Sequence, residues 1–255
     1  MADEEKHKTD ESRRQFLKNS GYFAGGLVGG GILGSVIGWQ VDEDTQNQTQ
    51  GEQTDQGNQG GPNFNRALKF FKNQEEFQRL SAATERIFPE DDNGPGAIKL
   101  GVPYFIDHEL AGEYGNNDRL YMNGPFHEGT PYQGFQSRLK RKQIFKEGLR
   151  VMEQEAQNSH DDSFVNLDQE QQDEILTKFQ NDEVKLRGVK ASDFFGMLRE
   201  STLAGAFADP LYGGNTNMEG WRMKEFPGSQ MSYMDEIGSE EFVEMEPRAL
   251  YDHLH

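Results

Sequence analysis

The sequence predicts an all-α domain of about five helices joined by long Gly- and Pro-rich loops, on three observations. Apolar residues recur at three- and four-residue spacing in five separate segments, one helical face each. No period-two run of β-branched residues competes with that pattern. Stretches rich in Gly and Pro separate the periodic segments, and these residues punctuate regular structure.

The elements follow in order. Asn73 is placed to cap a first helix, with Glu75 and Glu76 at its positive end. Phe77, Leu80, Thr84, Ile87 and Phe88 share one face of it, Pro89 ends it, and residues 90–96 form a loop. A second segment over 102–110 carries Tyr104, Phe105, Ile106 and Leu110. Residues 115–131 are turn-rich, and Pro131 suits the first position of the next helix. That helix is expected to run to about Gln157, with Phe135, Leu139, Ile144, Phe145, Leu149 and Met152 as its apolar face. Leu167, Ile175, Leu176 and Phe179 mark a fourth helix. Ser192 is the expected cap of the last, which holds Phe194, Phe195, Leu198, Leu203 and Phe207.

This helical domain occupies residues 66–233. Residues 1–41 precede it as a signal or anchor, 42–65 as a disordered polar linker, and 234–255 follow as an acidic tail. The linker holds almost no apolar side chains, so burial cannot offset its ordering entropy.

The chain has 255 residues, and 26 Lys and Arg stand against 44 Asp and Glu, a net charge of −18. The length suits one domain with appendages. The charge argues against nucleic acid, whose binding is dominated by Lys and Arg, and an acidic surface gains nothing from an anionic membrane face. No Cys is present, which excludes disulfides, thiolate metal sites and a thiol nucleophile. Lys6, Lys8, Arg13, Arg14 and Lys18 cancel Asp3, Glu4, Glu5, Asp10 and Glu11, so the whole excess lies beyond Val41. That describes a self-repelling extracytoplasmic body.

Ser12-Arg13-Arg14-Gln15-Phe16-Leu17-Lys18 resembles the twin-arginine export signal, in its S-R-R-x-F-L-K form, with Ser12, Arg13, Arg14, Phe16, Leu17 and Lys18 at its defined positions. The uncharged residues 19–41 follow, with six glycines within 21–31. They are weakly hydrophobic, as such signals are, yet long enough for the ~20 residues of a spanning helix. Retention as an anchor and cleavage near Gly38 both stay open. This route carries folded proteins, often with a partner, so the question becomes what travels with this one.

Catalytic motifs are scarce. The histidines are His7, His108, His127, His160, His253 and His255, and none forms a Glu-x-x-His or His-Glu-x-x-His pattern. Asp107-His108-Glu109 is the most site-like cluster, but successive helical residues point ~100° apart, so it reads as a solvated helix face. Phosphate-binding, nucleophile-elbow and dinucleotide fingerprints are missing. Met218, Met223, Met231 and Met234 suit an adaptable interface better than copper(I). No catalytic, metal or cofactor-binding residue is expected in this chain.

Residues 206–228 look purposeful. Pro210 stops the preceding helix at Asp209, Gly213 and Gly214 permit positive φ, and Asn215 and Asn217 suit turns. Gly220 precedes Trp221, and Pro227-Gly228 closes the segment. About twenty residues without regular structure suggest a packed or functional loop. Its expected exposed anchors are Tyr212, Trp221 and Phe226, residue types common in binding hot spots. The alternative, that these aromatics pack on their own helices, stays open.

Gly205-Ala206-Phe207-Ala208-Asp209-Pro210, Tyr212-Gly213-Gly214-Asn215, Asn217, Gly220-Trp221 and Pro227-Gly228 together resemble the signature of the gluconate 2-dehydrogenase subunit 3 family. Thr84-Glu85-Arg86-Ile87-Phe88-Pro89, Gly94-Pro95-Gly96-Ala97 and Gly101-Val102-Pro103-Tyr104-Phe105-Ile106-Asp107 are similar to its earlier blocks. Departures are the long polar linker, the acidic tail after Tyr233, and Lys224-Glu225-Phe226 where the family is more apolar. The resemblance implies a small non-catalytic subunit of a membrane-associated sugar or sugar-acid dehydrogenase. Its large partner would be a glucose–methanol–choline-type flavoprotein carrying FAD, with a multihaem cytochrome c as a possible third member. The partner commonly lacks an export signal, so this chain would lend it the address at Arg13-Arg14 and its machinery. The partner surface would comprise Asp209, Pro210, Tyr212, Gly213, Gly214, Asn215, Asn217, Gly220, Trp221 and Phe226. A free-standing exported envelope protein without a flavoprotein is the other reading.

Overall fold

The computed structural model describes residues 66–253, other than 128, 134, 235 and 242. Seven α-helices lie among the described residues. They are α1 Gln74–Ile87, α2 Val102–Ala111, α3 Glu113–Asn116, α4 Arg141–His160, α5 Gln169–Gln180, α6 Ala191–Phe207 and α7 Glu219–Arg222. Among these residues there is no strand, and pairing is limited to isolated bridges between Asp91 and Gly94 and between Gly228 and Arg248. The expected all-α class holds, with α1, α2, α4, α5 and α6 as its five substantial helices. No described helix is long and apolar enough to cross a membrane. The signal residues 12–18, the candidate anchor 19–41 and the linker 42–65 lie outside the described residues.

α1 sits against α2, α4, α5 and α6. Asn73 caps it as expected, its side chain accepting the Glu75 N–H at 2.9 Å. Phe77, Leu80, Ala83, Thr84 and Ile87 face inward. The polar members of the same segment fasten neighbours. Glu85 accepts the Ile98 N–H at 2.8 Å, Arg86 forks onto Asp173 of α5 at 2.8 and 2.7 Å, and Arg79 reaches Glu153 of α4 at 2.8 Å. A planar guanidinium makes such two-pronged contacts with carboxylates.

Phe145, Phe164, Phe179 and Phe194 are fully buried at the centre. The Phe194 ring stands edge-on to Phe145 at 5.7 Å and to Phe179 at 5.5 Å. Each such ring contributes roughly 1.5–3 kcal/mol by leaving water. α4 approaches α6 closely because Gly148 has no side chain: a Cβ there would lie 2.4 Å from Phe194 ring carbons.

Two helix starts differ from expectation. The turn at Pro131–Gln133 is 3-10, and α4 begins only at Arg141. Asn117 Oδ1 accepts the Arg141 N–H at 3.1 Å and the Gln143 side chain accepts the Lys140 N–H at 2.9 Å, which fixes the start there. Phe135 and Leu139 still pack on the core from outside the helix. α6 begins at Ala191, so Ser192 lies inside its first turn. Asp182 caps from outside, accepting the Ser192 N–H and its hydroxyl, both at 2.8 Å.

Asp107 is fully buried and not part of a solvated face. Its carboxylate accepts the backbone N–H groups of Lys69, Phe70 and Phe71 at 2.6–3.0 Å. It therefore holds the segment entering α1 against α2. His108 turns aside to the Ala67 carbonyl at 3.1 Å.

Candidate functional site

The chain leaves α6 at Phe207 into an extended Ala208. A helix end leaves carbonyls without helical partners, and burial makes each one costly. Here the loop itself supplies the donors. Trp221 Nε1 donates to the Phe207 carbonyl at 2.8 Å, and Asn215 Nδ2 to the Ala208 carbonyl at 2.8 Å. The Asn215 side-chain oxygen accepts the Gly220 N–H at 2.7 Å. Asn215 is fully buried, with left-handed backbone at φ 47°, a conformation Asn tolerates better than most residues.

Asp209 works at both oxygens. One accepts the Leu211 N–H at 2.9 Å and opens the 3-10 turn Pro210–Tyr212; the other accepts the Leu250 N–H at 2.8 Å. Two glycines are required by close approach. A Cβ at Gly214 would lie 2.2 Å from the Gly205 carbonyl oxygen, and one at Gly220 would lie 2.0 Å from that of Ala206. The Thr216 N–H donates to the Leu100 carbonyl at 3.0 Å and ties the loop to the start of α2.

Trp221 is not an exposed anchor: it is only 6 % exposed. Its indole is drawn in by the Phe207 carbonyl and stands edge-on to Phe226 at 5.4 Å. Tyr212 and Phe226 do face outward, at 53 % and 48 % exposure, and Asn217 is exposed beside them in sequence. Lys224, where the chain departs from the family pattern, places its ammonium 3.6 Å from the Phe207 ring centroid. A cation over a ring at a helix C-terminus is favourable on both counts. The expected surface is thus divided: Asn215, Gly214, Gly220 and Trp221 build the loop, and Tyr212 and Phe226 present it.

The acidic tail returns to the same loop. Arg248 pairs with the segment at Gly228, and Ala249 is fully buried. His253 bonds the Ser229 carbonyl. Burial, with Asp252 and Asp209 adding, raises the Tyr251 hydroxyl above its ordinary pKa. An open cleft of about 780 Å³ lies between Phe226, Tyr233 and Val243, rimmed by Glu225, Glu236 and Glu244. Nothing local in the sequence signals these long-range returns. Of the methionines, Met223 packs on the core, whereas Met231 and Met234 are exposed.

Residues 74–228 match the model of the family described as Gluconate 2-dehydrogenase subunit 3, from the first residue of α1 to the close of this loop. The chain belongs to that family. As a gluconate 2-dehydrogenase subunit 3 protein it is an accessory subunit of a dehydrogenase complex, and membership implies a catalytic partner. No curated protein and no solved structure matches it.

Proposed function

We propose that this chain is the non-catalytic small subunit of an FAD-dependent dehydrogenase, and that it folds with, exports and then stays with the catalytic flavoprotein. The flavoprotein is of the glucose–methanol–choline type and holds the FAD, and a multihaem cytochrome c is a further member on the electron path. The complex leaves the cytoplasm folded, by the twin-arginine route, for the extracytoplasmic face of the membrane. The observation that carries this reading is the coexistence in one chain of a subunit 3 match over 74–228 and the Arg13-Arg14 address. Tyr212 and Phe226 bear on the flavoprotein, and Trp221 acts from beneath by positioning Phe226. Replacing Arg13 and Arg14 together by Lys leaves both subunits folded in the cytoplasm and abolishes extracytoplasmic dehydrogenase activity. Activity fractionation of cells carrying the double variant tests this, and unchanged external activity overturns it.

A further inference from the structure

The charge of this chain is unevenly placed. Residues 119–146 hold six Lys and Arg and a single acid, Glu128, in a protein whose net charge is −18. Some cations elsewhere meet carboxylates: Arg79 meets Glu153, Arg86 meets Asp173, Lys99 meets Glu90 and Lys178 meets Glu174. Arg138, Lys140, Arg141, Lys142 and Lys146 make no ion pair among the described residues. Arg141 lies instead between the rings of Tyr114 and Phe135, at 4.5 and 5.0 Å, and Lys146 lies over Phe70 at 5.3 Å. Lys142 reaches only the Asn116 amide oxygen. Of the flanking acids, Glu113 is engaged by Arg119 and Glu147 by Arg150, while Asp118 stands immediately before the segment.

The loop preceding α4 both leaves and returns at this cluster, because Asn117 at its root accepts the Arg141 N–H. It carries Tyr121 and Tyr132, 81 % and 98 % exposed. Exposed tyrosines on a loop rooted beside cations suit the headgroup layer of a bilayer: the ring enters the interface, its hydroxyl stays wet, and long cationic side chains reach phosphates. The global negative charge does not prevent this, since exposed charges more than about 10 Å away are screened at 0.1 M salt.

We propose that the 119–146 face docks on an anionic lipid surface, with Arg138, Lys140 and Arg141 contacting headgroup phosphates and Tyr121 and Tyr132 entering the interface. The proposal is independent of the export reading. The test is partitioning of the full chain onto phosphatidylglycerol-containing and pure phosphatidylcholine vesicles at ~0.1 M salt, so that anything the N-terminal residues add is common to all variants. The wild type prefers the anionic vesicles, and the preference fades as salt rises. Arg138→Gln with Lys140→Gln lowers binding to anionic vesicles roughly thirtyfold, from about 1 kcal/mol per cation, with thermal unfolding unchanged. Tyr132→Trp gives a blue-shifted emission component on adding anionic vesicles. Equal partitioning of wild type and the double variant overturns the proposal, as does a wild type indifferent to lipid charge. Intact vesicle binding by the double variant, with loss of an acidic protein from the purified complex, overturns it in favour of a protein partner.

Discussion

Trp221 and Tyr212 belong to the same sequence signature but have opposite surroundings. The indole donates to the Phe207 carbonyl and is buried, whereas the tyrosine is half exposed after its 3-10 turn. Trp221→Ala therefore costs about 3–5 kcal/mol of stability, as buried aromatic truncations do. Tyr212→Ala changes stability by under ~0.5 kcal/mol yet weakens the subunit complex by ~2 kcal/mol. Denaturant midpoints together with the ratio of co-purified partner check both, and a reversed pattern contradicts the division of roles. The sequence could name these aromatics but not orient them, because orientation depends on a carbonyl fourteen residues away from Trp221. Asp107 misled for a similar reason: its three backbone donors lie 36–38 residues earlier in the chain.

Helices were legible where apolar spacing is strong and less so at their ends. The faces of α1 and α5 and the stop at Pro210 follow from local pattern and backbone restriction. The starts of α4 and α6 do not, because Asn117 caps one from 24 residues away and Asp182 the other from 10. Such caps arise from tertiary packing and leave no trace in local propensity. Packing between helices makes its own prediction. Gly148→Ala in α4 drives a methyl into the Phe194 ring and destabilises by ~1–3 kcal/mol despite better helix propensity. The same change at Gly196 in α6 meets nothing within 4 Å and stabilises by up to ~1 kcal/mol. Urea unfolding of the two variants should shift in opposite directions, and parallel shifts would contradict the α4–α6 contact.

At the scale of the whole molecule, the loop after α6 uses Asn215 and Trp221 to close its own helix end. It leaves two aromatic side chains outward, and the tail returns to brace it. An accessory subunit needs such a scaffold: a rigid underside that fixes a small apolar presentation for a companion. The family was legible from short blocks around Pro89, Gly101 and Trp221; in two of them a glycine is required, Gly101 by left-handed backbone at φ 76° and Gly220 by close approach to the Ala206 carbonyl. The return of the tail was not, because its contacts join residues 41 or fewer positions apart through bonds that no local pattern encodes. Arg138, Lys140 and Lys146 are exposed cations on a chain of opposite net charge.

A companion that carries the redox centre is the central proposal, and purification of the tagged full chain from the cells that make it tests this most directly. A larger subunit should co-elute in fixed ratio with a flavin absorbance spectrum, and dehydrogenase turnover should follow that subunit. A colourless chain eluting alone, or turnover by this chain after the larger subunit is removed, would contradict the account.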